Sequence, residues 1–400
     1  MSGTAAAQLT APRANPQADR RTWLVMFSGS PLAAAAHRQQ ALASELAGPY
    51  RVLYVDPPSN AATVRFQVRK VSDSLWQATV PTPLPFGRQV PPANQLARRM
   101  AARLLRDWLD ARPGPRLLWL DEDLAAPIAG RLGEQAVIYD GTDLDWTFTR
   151  SWNRWHLRRS LHRAIAAADL VTVSSAALPF WLPATGGQPV IVANACDPAH
   201  FRPDGPVTRW IAELPAPRIG YLGAVDTRAL DGELLRAVAR QHPEWSFVLA
   251  GPATPAGRLP LRGLSNVHLA GPVPYEDAPA LVRGFDVGLI PYRRGGRVDY
   301  VHPKKCYEYL AAGLPVVATP LPALMALDAP VRLADGPDEF GEAIAAALAE
   351  AGEPAAVGRR RAAAVANSWQ ARGARLRALL AELPGGAEVE AGVRRDGDLL

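Results

Sequence analysis

Cysteine is nearly absent: Cys196 and Cys306 are the two in 400 residues. They stand far apart, in no CxxC or Cys/His cluster, which excludes a disulfide framework and a cysteine-based zinc site and points to a reducing compartment. Charge is scarce as well. Acidic and basic side chains make up 20% of the chain and leave a formal net charge of +6, with no long run of one sign. That balance favours anionic ligands or lipid head groups weakly and demands no nucleic acid. Long apolar runs are missing too: no stretch approaches the roughly 18 to 20 residues that span a bilayer, and Thr22 to Phe27 is too short for the core of a secretion signal. The expectation is a cytoplasmic protein, with room for peripheral contact at the inner membrane face.

What is present is a hydrophobic fraction of 48%, enough for a large interior that is more comfortable as two domains than one. Residues 1–20 are rich in Ala, Gln, Pro and Arg without periodicity and read as a disordered lead-in. From Thr22 onward, short continuously apolar runs (TWLVMF, RVLYV, RLLWL, AVIY, LVTV, VIV) alternate with helical patterns. Continuous apolarity marks strands covered on both faces, and right-handed crossovers then give a doubly wound parallel sheet. A Pro-rich stretch from Cys196 to Pro217 separates this series from a second one (RIGYLG, WSFVLAG, NVHLAG, DVGLIP, LPVVAT). The reading is α/β: two Rossmann-like domains, residues 21–205 and 206–383, facing across a cleft. The second includes a helix over Ala355 to Leu383, and a loose tail covers 384–400.

The chemistry concentrates in DVGLIPYRRGGRVDYVHPKKCYEYLAAGLPVVATPLPAL, Asp286 to Leu324, which reads as strand, loop, helix, Gly stop and strand. Pro303 sits where a helix begins, Lys305 and Glu308 share one face, and Gly313 ends it. A helix start at the carboxyl end of a parallel strand suits a diphosphate, and an ammonium strengthens such a site. A charge-assisted hydrogen bond of roughly 1.5 to 3 kcal/mol would make Lys305 worth about tenfold to a hundredfold in affinity. Glu308, one turn deeper, is placed to accept hydrogen bonds from a ribose diol. A solvated helix pair is the bland alternative for Lys305 and Glu308, and inert packing is the reading for Cys306.

These residues resemble the retaining GT-B glycosyltransferases of family 4, especially the bacterial branch similar to teichuronic-acid and exopolysaccharide enzymes. The segment P-x-K-x-Y-E-Y-L-A-A-G-x-P-V-V carries the likeness, with GYLGAVD and DGELL, WSFVLAGP, GPVPYEDAPALVRGFDVGLIPY and the junction VIVANACDPAHF. The resemblance implies a nucleotide-diphosphate sugar donor, no metal and no separate cofactor. It places Glu308 on the nucleotide ribose and a basic residue, Lys305, on the donor phosphates, with Gly223, Arg228 and Pro274 lining the donor site. The family often has a donor-sugar glutamate eight residues before the one matching Glu308. Here that position is Tyr300, next to Asp299. The usual Arg and Lys after the first strand of the donor domain are represented by Arg228 alone.

In the first half, Gly29 and Ser30 form the loop after the first strand, with His37 to Gln40 on the helix behind. The resemblance sets this loop beside the donor phosphates, whereas an ordinary strand-to-helix turn is the plainer reading. VIYDGTDLDW places Asp140, Asp143 and Asp145 after a strand, and Asp143 is the candidate acceptor-side contact or base; helix capping is the alternative. The acidic DED at Asp121 to Asp123 and DLD at Asp143 to Asp145 mimic a metal motif, but the resemblance implies diphosphate neutralisation by protein groups. The stretch from Thr149 to Leu170 interleaves Arg150, Arg154, Arg158, Arg159 and Arg163 with Trp152 and Trp155, as an interfacial helix on anionic lipid would, or as a Trp-anchored helix with Arg outward would.

The resulting expectation is a glycosyltransferase acting on a carbohydrate or lipid-linked acceptor, with retention, in cell-surface polysaccharide or glycoconjugate synthesis. A nucleotide-sugar 2-epimerase would keep the donor contacts and release free epimer without acceptor, and a non-catalytic nucleotide-sugar binder would do neither. A Rossmann dehydrogenase is disfavoured because no strand leads into GxGxxG with an acid about twenty residues on.

Overall fold

Successive side chains of the first strand, β1 (Trp23–Phe27), enter opposite apolar layers: Trp23, Val25 and Phe27 on one side of the sheet, Leu24 and Met26 on the other. Burial on both faces is why this run is apolar throughout rather than alternating. The computed structural model describes residues 19–34, 37–59, 62–63, 65–83, 90–142, 153–180, 182 and 187–386.

The first sheet adds β2 (Arg51–Val55), β3 (Gln67–Ser72), β4 (Leu75–Thr79), β5 (Arg116–Leu120), β6 (Ala136–Gly141), β7 (Leu170–Val173) and β8 (Val190–Ile191). Its order is β3-β4-β2-β1-β5-β6-β7-β8, parallel except for the β3–β4 hairpin. That hairpin escapes the sequence reading because β3 is exposed along nearly its whole length and carries Arg69 and Lys70, the charged dress of a sheet edge. Helix α1 (Arg38–Leu46) covers one face, while α2 (Pro91–Asp110), a 3-10 helix at Asp123–Ile128 and α3 (Arg154–Ala167) cover the other.

The second sheet contains β9 (Arg218–Leu222), β10 (Ser246–Ala250), β11 (Val267–Gly271), β12 (Val287–Ile290), β13 (Val316–Ala318) and β14 (Val331–Leu333). It is wholly parallel in the order β11-β10-β9-β12-β13-β14. The strand order reverses between β9 and β12, the switch point where open α/β sheets leave a crevice at their carboxyl ends. Helices α4 (Gly232–Gln241), α5 (Lys305–Ala311), α6 (Pro337–Ala349), α7 (Pro354–Ala366) and α8 (Trp369–Ala381) follow in this half.

Two features differ from the domain limits read from composition. Val192 and Ala195 belong to the first core and Cys196 and Phe201 to the second, so the chain crosses at Ala195–Cys196, upstream of the Pro-rich stretch. The long terminal helix is also two helices, because Ser368 breaks it by accepting a hydrogen bond from the Ala371 amide as a new N-cap. The second piece, α8, leaves its own domain and buries Trp369, Leu376 and Leu380 against the first sheet's α1 side. Outgoing and returning crossings lie side by side: Cys196 N donates to Asn367 O at 3.3 Å and Trp369 N donates to Cys196 O at 3.0 Å.

Candidate functional site

The switch point of the second sheet opens into a cavity of about 350 Å³. Its floor is the chain leaving β9 at Leu222 and Gly223 and leaving β10 at Ala250 and Gly251; Lys304, Lys305 and Glu308 of the α5 segment form one wall. From the first domain His37 reaches the rim, so the cavity opens on the gap between domains.

Two glycines let the backbone come this close. Gly223 has φ +155°, and a Cβ there would lie 2.3 Å from Lys305 Nζ; Gly251 has φ +146°, and a Cβ there would lie 2.1 Å from the Gly223 carbonyl oxygen. Any other residue at either position would fill the space the ammonium and the neighbouring strand end occupy. The Lys305 ammonium lies 4.1 Å from the Tyr221 ring centroid and 5.0 Å from that of Tyr292. Among the described residues no carboxylate forms an ion pair with it. A largely buried cation held by aromatic faces and lacking a counter-charge is suited to an incoming anion. Tyr309, one turn on, locks this geometry: its phenol oxygen accepts from the Leu222 amide at 2.7 Å, tying α5 to the end of β9.

Glu308 is buried and paired with Lys304, Nζ to Oε1 3.2 Å. The sequence reading did not single out Lys304, yet it supplies the neighbouring positive charge. It also lies 5.5 Å from the Tyr275 ring, which stacks on His200 at 4.3 Å. Lys304 was legible only as a second lysine, since a pairing four residues on needs the helix register to be known. The helix itself starts at Lys305 and runs seven residues, shorter than the sequence pattern suggests, so charge at this site comes chiefly from side chains. Burial pushes the Cys306 thiol up to about 12, which keeps it protonated and inert.

The other sequence candidates lie elsewhere. Pro274 is exposed beside the cavity, whose lining passes through its neighbours Val273 and Tyr275. Arg228 is largely exposed and binds Asp226 at 2.6 Å, away from the lining. Tyr300 is buried in the first domain's apolar cluster, where with Val301 it pins the segment before α5 across the domain boundary. Asp299 accepts from the Gly295 amide at 3.0 Å. Gly29 and Ser30 occupy the first sheet's own switch point between β1 and β5. There the Gly29 amide donates to Asp121 Oδ1 at 2.7 Å, and Tyr54 donates to the Ser30 carbonyl at 2.6 Å. Burial raises the Asp121 carboxyl well above the usual carboxylate range. The neighbours in the DED run turn to separate partners, Glu122 to Arg98 at 2.6 Å and Asp123 to the Tyr139 hydroxyl at 2.7 Å. Asp143 and Asp145 lie outside the described residues.

Asp140 and Arg38 carry a contact the sequence did not reveal. Asp140 Oδ1 accepts from Thr172 Oγ1 at 2.7 Å as well as from Arg38. Arg38 Nη1 lies 3.5 Å from Asn194 Oδ1, and Asn194 Nδ2 donates to the His302 carbonyl at 2.8 Å. This chain of polar contacts joins the first domain to the residue just ahead of the α5 segment. His302 is buried, and burial with the nearby Arg372 and Arg38 cations pushes its ring down to about 4.

Residues 216–350 match the family model described as glycosyl transferases group 1. A 158-residue segment is 30% identical to a protein of Bacillus subtilis (strain 168) assigned to teichuronic acid biosynthesis as the glycosyltransferase TuaH; it covers 38% of this chain and 40% of that one. The chain thus aligns with about two fifths of that relative's length. Sucrose-phosphate synthase of Thermosynechococcus elongatus superposes with a TM-score of 0.68 at 19% identity, over 90% of this chain and 98% of that chain. Anabaena HepE, solved with UDP and glucose, superposes with a TM-score of 0.62 at 16% identity, over 91% and 100%. The architecture is therefore the GT-B fold, and within it residues 216–350 carry the match to the group 1 glycosyl transferases.

Proposed function

We propose that this chain transfers a glycosyl group from a nucleotide-diphosphate sugar to a hydroxyl of a carbohydrate or lipid-linked acceptor, with retention, in the synthesis of a cell-surface polysaccharide or glycoconjugate. The observation that carries the reading is Lys305: a cation without an ion-pair partner among the described residues, set against Gly223 at the sheet's switch point, one turn from Glu308. In this reading the donor diphosphate lies against the Lys305 ammonium and the backbone at Gly223. The ribose hydroxyls donate to Glu308, whose charge Lys304 balances. Uridine diphosphate in the HepE structure supports a nucleoside diphosphate as the class of ligand.

The bond from the anomeric carbon to the donor phosphate breaks as the bond to the acceptor oxygen forms on the same face. The acceptor proton passes to the departing diphosphate, and Lys305 stabilises the charge that grows there. A fixed cation in a partly dry site accelerates such a step without reorganising during it. Asp143 is the acceptor-side group in this reading. It needs no separate cofactor and no metal.

Calorimetric titration with uridine, guanosine, adenosine and thymidine diphosphates tests donor binding. One of them binds, and Lys305→Ala weakens it about tenfold to a hundredfold; equal affinity in the variant removes Lys305 from the site. With the donor identified, the anomeric configuration of the product by NMR tests retention, and an inverted product overturns it.

A further inference from the structure

The first domain turns a basic face with apolar tips to solvent. Helices α2 and α3 lie on the same side of its sheet and flank the 3-10 helix at Asp123–Ile128. Both bury their inner sides in one apolar cluster, Ala101, Leu105 and Leu109 from α2 and Leu161, Ala164 and Ile165 from α3. Their outer sides therefore face the same way. On α2 that side carries Arg99 and Arg103, on α3 Arg159 and Arg163, all exposed. Among the described residues none of these four forms an ion pair. Helix α3 contains no acidic residue, and the acids of α2, Asp107 and Asp110, sit in its last turn, where Asp110 is already engaged by Arg106 and Arg116.

The same face exposes large apolar side chains near one end. Trp155, in the first turn of α3, is 65% exposed; Leu96 and Met100, in the first half of α2, are 54% and 38% exposed. Arg159 lies over the Trp155 ring at 5.4 Å, leaving the indole outside the core. In a doubly wound sheet these helix starts stand at the carboxyl edge of the strands. That edge is the one His37 and Asn194 turn toward the second domain, so the apolar tips stand near the mouth of the cleft.

We propose that this α2–α3 face docks on an anionic lipid bilayer, with Trp155, Leu96 and Met100 entering the head-group layer and the arginines meeting lipid phosphates. Arginines interleaved with apolar tips across two parallel helices match a planar charged surface that has an apolar layer beneath it. A nucleic acid backbone would use the arginines but leave the three apolar side chains in water. Docking in this pose brings the cleft mouth to the membrane, where an acceptor anchored in lipid is met. The surface stands on its own residues and does not depend on the assignment of the donor site.

The test is co-sedimentation of the full chain with phosphatidylcholine vesicles containing phosphatidylglycerol, against pure phosphatidylcholine vesicles. The protein pellets with the anionic vesicles and is released by salt, since exposed charges are screened beyond about 8 Å at physiological ionic strength. Each surface arginine contributes about fivefold to partitioning, so Arg159→Glu with Arg163→Glu lowers it about 25-fold or more. Arg99→Glu with Arg103→Glu, on the other helix, does the same, and Trp155→Ala lowers it at unchanged salt dependence. Failure to pellet with anionic vesicles overturns the proposal. So does pelleting that neither arginine pair reduces, or binding of duplex DNA at concentrations where vesicles are not bound. Nucleoside diphosphate titration of the same samples reports the donor site separately, so loss of one property is distinguished from loss of the other.

Discussion

Arg38 holds Asp140 with both prongs of its guanidinium, Nε to Oδ2 at 2.9 Å and Nη2 to Oδ1 at 2.8 Å, with both side chains almost fully buried. The pair fastens the start of α1 to the end of β6 and, through Asn194, to the His302 carbonyl of the other domain. Removing one partner leaves the other charge buried without compensation, which costs about 3 to 5 kcal/mol. Arg38→Ala is expected to lower the denaturation midpoint by that measure, and Arg38→Met combined with Asp140→Leu to recover part of it. A single variant as stable as the parent in urea titration would show that the pair carries no weight.

Gly223→Ala tests the floor of the cavity. The added methyl would stand 2.3 Å from Lys305 Nζ and meet a backbone with φ +155°. The methyl would also stand 2.9 Å from the Tyr221 hydroxyl, so the ammonium and that ring must both shift, and a melting curve run beside the titration separates lost binding from lost folding. Nucleoside diphosphate affinity is expected to fall at least about tenfold, comparable to loss of one charge-assisted hydrogen bond. Calorimetry reads this directly, and unaltered binding would place the phosphates elsewhere.

His302 sets an acid limit. Its folded value is depressed from 6.5 to about 4, so the ring is neutral in the native protein and the unfolded chain binds the proton first. The stability this represents is fully present above about pH 6.5 and is lost as the pH falls toward 4. Its size is on the order of 3 kcal/mol. His302→Gln is expected to flatten the decline of the melting temperature between pH 7 and pH 4.5. Parallel curves for variant and parent would refute the assignment.

Ser368→Ala removes the hydrogen bond that the Ala371 amide donates to the Ser368 hydroxyl, and is expected to cost about 1 kcal/mol. Since α8 packs on the other domain from its own, the loss should appear as faster amide exchange in both α8 and α1. Faster exchange confined to α8 would mean that the helix docks without supporting its neighbour.

The amino-acid sequence determined most of the strands, because parallel strands covered on both faces must be apolar along their whole length; β1, β2, β5, β9 and β12 are all legible on that ground. It also marked Lys305 and Glu308, since a Pro-led helix closed by Gly313 between two such strands fixes which side chains share its first turns. The edge hairpin β3–β4 was hidden because a strand paired on one side and exposed on its faces needs no apolar run. What only the tertiary structure decided are the contacts between distant segments. Arg38 with Asp140, Cys196 with Asn367 and Trp369, Tyr300 in the first domain's core and the shared outward side of α2 and α3 all depend on how layers stack. Local periodicity records whether a residue is buried, because burial follows from the repeat of its own element. Which remote partner buries it is set by the packing of the whole chain, and no local pattern encodes that.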